Sequence, residues 1–210
     1  MIEDLLEANL EIFTDWRQKH PHEDGLSPQG RQADTLWITA TDSPLSPAAL
    51  TGKDPGSFAV LRTPGALINP VDLACVAVLD MALRNFQVSR IVVCGHYGCA
   101  SIGQLSAGDS GDVGPLAHWL SPARDEAARH DAELALITST QARANRLCDL
   151  VVAAQIRSLA SSPLVADVWR RRRPLALHGL IYSLHDGLLR EVCDPVNGAK
   201  QARALVGGAA

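Results

Sequence analysis

From Thr35 onward, short apolar runs of strand length alternate with helix-length segments, and this alternation constrains the fold more than any other feature of the chain. Residues 36–39 and 58–61 read as short strands, 72–85 as a helix, and 90–94 as an apolar, β-branched strand. Strands joined through helices run parallel, so the pattern predicts an α/β fold with a central, mostly parallel sheet flanked by helices. Ligands of such sheets bind beyond the carboxyl ends of the strands. Asp42 and His96 both fall just past such ends. Further along, residues 109–115 read as a glycine-bearing loop and 125–160 as one long helical region. Residues 175–184 and 188–192 flank His185-Asp186-Gly187, where Asp-Gly signals a hairpin turn.

Ahead of this domain lies a separate pattern. Ile2, Leu5, Leu6, Leu10, Ile12, Phe13 and Trp16 approximate one stripe of a helix, and the polar stretch 20–34 with its Pro and Gly reads as a connector. The expected organisation is a helical arm with its linker over 1–34 and an α/β domain over 35–210. A helix set off by a linker must bury its apolar stripe somewhere, either back on its own domain or on a second copy of the chain.

Charge and cysteine usage exclude several classes. The net charge of −4 requires no basic face, so nucleic acid is not an expected partner. Arg170 to Arg173 read as the solvated end of a helix, where cations suit the dipole. No apolar run reaches the roughly 18–20 residues that span a bilayer, so no membrane association is expected. The start Met1-Ile2-Glu3-Asp4 is acidic where a secretory leader is basic, and the five cysteines are scattered and odd in number. On both features the cytoplasm is the expected compartment.

The densest chemistry lies in residues 91–99. A buried-strand run ends in a glycine turn that presents His96 and, three residues on, Cys99. An imidazole and a thiolate so spaced can share one soft divalent ion, zinc first, although the same spacing also serves packing and turns. Cys94, inside the strand, is expected to point into the core, as is Cys75 in its helix. Ser43 is expected to donate to a carboxylate or to cap the following turn.

Three segments carry a resemblance. Residues 36–44 (Leu-Trp-Ile-Thr-Ala-Thr-Asp-Ser-Pro), 61–65 (Leu-Arg-Thr-Pro-Gly) and 91–99 occur in the order and spacing of the β-class carbonic anhydrases, and residues 178–189 resemble that family's last hairpin. The family pattern is a strand ending in Cys-x-Asp-Ser-Arg, then an Arg-Asn pair, then a strand ending in Gly-His-x-x-Cys. The resemblance implies a zinc lyase in which two cysteines and a histidine hold the metal. It also implies that the arginine two residues after the aspartate draws its carboxylate off the metal, and that the N-terminal arm lies on a neighbouring subunit of a dimer or tetramer.

Two departures stand out. Aligned on Asp42-Ser43, the first zinc cysteine falls on Ala40 and the arginine on Pro44. What remains of the implied ligand set is Asp42, His96 and Cys99, with Asp42 also at the catalytic position, and nothing local is expected to hold Asp42 off a metal. Zinc is therefore expected to be weakly held or absent. In some bacterial members a Trp, an Arg and a Tyr at the positions of Trp37, Arg62 and Tyr182 bind bicarbonate away from the zinc. The resemblance extends that role to these three residues. The first expectation is a family member with a degenerate zinc site and poor carbon dioxide hydration, acting in bicarbonate binding or assembly. The alternatives are a working zinc lyase with the ligand set Asp42, His96 and Cys99, and a structural paralogue paired with an active homologous subunit.

Overall fold

The computed structural model describes residues 2–19, 21, 33–106 and 114–207. Two compact units divide the chain, residues 1–32 and 33–210. The described part of the first is essentially helix α1 (Ile2–Lys19), with acidic Glu3 and Asp4 in its first turn and Arg17 and Lys19 in its last, as the helix dipole favours. None of its side chains is buried, and Ile2, Leu5, Leu6, Leu10 and Ile12 are each more than half exposed. Most of the connector, residues 20 and 22–32, lies outside the described residues.

The second unit begins with β1 (Thr35–Ala40), followed by α2 (Pro47–Thr51), β2 (Phe58–Thr63), α3 (Leu73–Arg84) and β3 (Arg90–His96). Helices α4 (Ala100–Ser106), α5 (Pro115–Trp119), α6 (Ser121–Arg129), α7 (Asp131–Ala135), α8 (Thr140–Ala160) and α9 (Pro163–Arg170) precede β4 (Ala176–Tyr182), β5 (Leu189–Glu191) and α10 (Ala199–Gly207). The sheet order is β2-β1-β3-β4-β5; the first four strands are parallel and β5 returns antiparallel from the hairpin. The parallel sheet predicted from alternation is thus the observed one.

Side-chain alternation along the strands makes two apolar layers. Leu36, Ile38, Ala40, Ile91, Val93, Leu177 and Ile181 join the large core built with α3, α4, α8 and α9. Trp37, Val92, Cys94 and Tyr182 form a smaller cluster with Leu45, Leu50, Phe58, Leu180 and Leu189, and the Trp37 and Phe58 rings meet edge to face at 5.8 Å. Gly95 explains how closely α8 lies on the sheet. A Cβ there would meet Ile181 Cδ1 at 2.8 Å and Val152 Cγ2 at 2.9 Å, so the residue before the key histidine has no room for a side chain.

One expected element is corrected. The region 125–160 is not one helix but α6, α7 and α8, with breaks at His130 and after Ala135. Ser139, whose Oγ accepts the Ala142 N–H at 3.3 Å, starts α8 afresh, which is the N-cap chemistry that Thr138-Ser139-Thr140 offers. The Arg146–Glu133 ion pair at 2.6 Å then ties α7 to α8. Ser43 does not cap the turn. Its hydroxyl donates to Leu45 O at 3.4 Å, and the cap of α2 is Ser46. Of the loop expected at 109–115, residues 109–113 lie outside the described residues, and Pro115 opens α5. The arginine run is a helix end, as expected: Arg170 and Arg171 pair with Asp167, and Arg173 Nη1 donates to Leu83 O at 2.9 Å.

Candidate metal centre

The carboxyl ends of β1 and β3 are neighbours in the sheet, so the residues that follow them meet. Asp42 lies in the turn after β1. His96 is the last residue of β3. Gly98, at φ +82°, turns the chain back so that Cys99 faces the same point and α4 starts at Ala100; a left-handed conformation of this kind favours glycine. Ligand atoms of Asp42, His96 and Cys99 all lie within 4.8 Å of one another, His96 and Cys99 buried and Asp42 exposed.

The geometry adds a contact to Asp42 that the sequence did not reveal. Its Oδ2 accepts the Ala100 N–H at 2.7 Å, at the N-terminus of α4. One carboxylate oxygen is therefore fixed by the backbone, and the other, Oδ1, is directed at His96 Nε2 (3.3 Å) and receives the Cys99 thiol at 3.5 Å. Burial pushes the Asp42 carboxyl up, but the Ala100 amide and the His96 ring more than offset it, and the group sits below the ordinary aspartate range. Burial, reinforced by the Asp42 charge, pushes the Cys99 thiol up to about 11.

These donors fit a divalent metal by their lone pairs. His96 Nδ1 lies 3.2 Å from Tyr97 O. A carbonyl only accepts, and so does the ionised Asp42 carboxylate beside Nε2, so both ring nitrogens face acceptors. With the ring proton on Nδ1, Nε2 would present a lone pair toward the carboxylate oxygen, with the sulfur beside it. A cation among the three relieves this arrangement, and tetrahedral zinc with bonds of about 2.0–2.3 Å would place its ligands about 3.3–3.8 Å apart. The set of carboxylate, imidazole and thiolate suits zinc. Ala40, 1% exposed in the core, adds no donor, and Pro44 is exposed and carries neither charge nor N–H.

The other cysteines stand apart from the cluster. Cys94 Sγ packs in the smaller apolar layer, its thiol pushed up to about 12 by burial. Cys148, on the buried stripe of α8, had no motif to mark it. It is raised by burial and then by the charges of Cys99, Asp149 and Asp42, so it neighbours the centre without joining the ligand group.

Trp37, Arg62 and Tyr182 sit on β1, β2 and β4, and Trp37 and Tyr182 share the smaller apolar cluster. Arg62 does something the sequence did not reveal. Its Nη1 donates to Ser43 O at 2.8 Å and Ala40 O at 3.4 Å, and its Nη2 to Leu45 O at 3.2 Å. The guanidinium holds the loop that carries Asp42. The register pairing Thr39 with Arg62 brings the two together.

Known proteins resemble this chain in sequence and in fold. A family model described as carbonic anhydrase matches residues 35–189. A carbonic anhydrase of Emericella nidulans is 32% identical over 163 residues, covering 78% of this chain and 71% of the relative. One of Pseudomonas aeruginosa is 33% identical over 170 residues, covering 79% and 74%. Among solved structures, the Coccomyxa β-carbonic anhydrase in complex with acetazolamide superposes with a TM-score of 0.88 at 28% identity, covering 97% of this chain and 91% of that one. A tetrameric β-carbonic anhydrase of Sordaria macrospora gives 0.84 at 27% identity, covering 93% and 98%.

Proposed function

The chain belongs to the β-class carbonic anhydrase family, and from that footing we propose that it is a member with a reduced metal centre, Asp42, His96 and Cys99, which holds zinc weakly and hydrates carbon dioxide poorly. One observation carries the reading: Asp42 Oδ1 occupies the point on which His96 and Cys99 converge, while Oδ2 is fixed by the Ala100 amide. Zinc, when held there, would supply the Lewis acidity that makes water a nucleophile near neutral pH. Asp42 would then be one of the residues holding it and could not also accept the proton of attacking water. Position 44 has no guanidinium to withdraw it, and position 40 has no thiolate to take its place.

Trp37, Arg62 and Tyr182 extend the proposal to bicarbonate. An arginine fork suits a planar oxyanion, and indole and phenol add neutral donors. Arg62 already donates to the carbonyls of Ala40, Ser43 and Leu45, so an anion taken by its remaining N–H groups would be tied to the placement of Asp42. The exposed apolar stripe of α1 supports self-association as a dimer or tetramer, with the arm covered by a neighbouring copy. Light scattering from a compact monomer at micromolar concentration would contradict that part. Among the described residues no helix is long and apolar enough to cross a membrane.

The metal content is directly testable. Protein purified without added metal is expected to carry well under one zinc per chain by elemental analysis. One tightly held zinc per chain, unmoved by Cys99→Ala, would overturn the ligand assignment.

A further inference from the structure

We propose that the cavity between α4, α6, α7 and α8 binds a short aliphatic monocarboxylate, its carboxylate on Arg124 and Arg143 and its chain on Leu105, Leu134 and Leu147. The cavity has a volume of about 330 Å³, at the lower end of the range that holds small molecules. It stands apart from the metal centre. Leu105 and Ser106 close α4, whereas Ala100, whose amide fixes Asp42, opens it, about 9 Å back along the helix axis. The inference is therefore independent of whether the centre holds zinc.

Three polar side chains in the cavity wall lack the partners that burial or charge calls for. The Ser106 hydroxyl is buried and, among the described residues, is the one such side-chain atom with no hydrogen-bond partner. An unpaired buried hydroxyl is destabilising, so this atom calls for a partner from outside the chain. Arg124 on α6 and Asp131 on α7 have no side-chain hydrogen bond or ion pair among the described residues. Arg143 on α8 is anchored and still available. Its Nε and Nη2 donate to Ile137 O at 3.2 and 3.0 Å, which uses two of the five N–H groups of a guanidinium. The Nη1 edge is left for a carboxylate, which accepts parallel N–H bonds from such a fork.

The rest of the wall selects the class of ligand. Leu134 and Leu147 are buried, and three alanines complete an apolar surface. An inorganic anion would leave that surface unused. Two arginines stand against one aspartate, so the lining carries one net positive charge, which complements a singly charged acid better than a dianion. Ser106 adds a neutral donor for the second carboxylate oxygen.

Hexanoate added to nitrogen-15-labelled full-length protein should shift the amide signals of Leu105, Ser106, Leu134 and Leu147 in a saturable way. The apparent affinity should be the same in Cys99→Ala, since no metal takes part. Phosphate and hexylamine at equal concentration should leave these signals in place. Arg124→Gln, at an exposed position, should weaken hexanoate about tenfold, as for loss of a charge-assisted bond. Ser106→Ala should weaken it about twofold to tenfold and raise the thermal midpoint of the ligand-free protein, because the unpaired hydroxyl is gone. Asp131→Asn should strengthen it about twofold, the effect of one exposed charge. Hexanoate that moves none of these amides, as when Ser106 holds only a trapped water, would overturn the proposal. So would unchanged affinity in folded Arg124→Gln, or shifts confined to residues around His96 or Arg62. Equal shifts from phosphate would make the site an unselective anion patch, and equal shifts from hexylamine an apolar crevice. Either result overturns the monocarboxylate reading.

Discussion

Ala40→Cys combined with Pro44→Arg raises carbon dioxide hydration at least about a hundredfold above the natural chain, because each change restores one of two separate losses, each worth roughly a factor of ten or more. The thiol enters at the end of β1, at a position 1% exposed beside the core, and adds a ligand that Asp42 otherwise replaces. The guanidinium enters at an exposed turn position and competes for the Asp42 carboxylate. Neither change suffices alone. Ala40→Cys raises zinc retention but leaves Asp42 Oδ1 directed at the metal, since the Ala100 amide holds only Oδ2. Pro44→Arg frees the carboxylate at a centre that still binds metal poorly. Stopped-flow hydration and zinc content of the natural chain, the two single variants and the double variant check this, and a double variant no faster than the natural chain would show that the centre is limited elsewhere.

Zinc affinity should climb about tenfold per pH unit between roughly pH 6 and 9, since ligation by a thiol that is still protonated releases one proton. The group responsible is Cys99, which burial and then the Asp42 charge push up to about 11. Below that value the free protein holds the thiol proton and the complex does not, so raising the pH favours the complex. Asp42 lies below the ordinary aspartate range and stays ionised throughout, adding no slope. Cys99→Ala should flatten the dependence and lower the affinity at pH 8 at least about a hundredfold, the loss of a thiolate ligand exceeding that of an outer partner. Cys94→Ala should change neither, because that sulfur is buried in the other apolar layer. Chelator competition across pH measures both quantities.

The sheet was legible because its strands carry their own periodicity and punctuation. The run through Val93, the Asp186-Gly187 turn and the helical pattern after Asp72 each name an element from local residues. The break between α6 and α8 was missed because it depends on Ser139 competing successfully for a backbone N–H within an otherwise helical composition. In the centre, Asp42, His96 and Cys99 were legible as residue types, and the structure brings their ligand atoms together. Their arrangement was not legible, because it rests on contacts between distant positions. The amide that fixes Asp42 comes 58 residues later, from Ala100. The guanidinium that holds the Asp42 loop stands on a neighbouring strand, and the phenol next to His96 ends on a carboxylate 52 residues away. No spacing rule reaches across such separations; strand register and helix docking create them.

Hydration of carbon dioxide by the natural, zinc-loaded chain, followed by stopped flow beside an intact β-class enzyme, tests the central claim most directly. The expected rate is at least about a hundredfold below the intact enzyme, because the loaded centre lacks one thiolate ligand and its Asp42 is drawn into ligation rather than freed for catalysis. Raising the pH should not close the gap, because Asp42 remains ionised and able to ligate. Rapid hydration that disappears in Asp42→Ala or His96→Ala would contradict the account and establish Asp42, His96 and Cys99 as a working zinc centre.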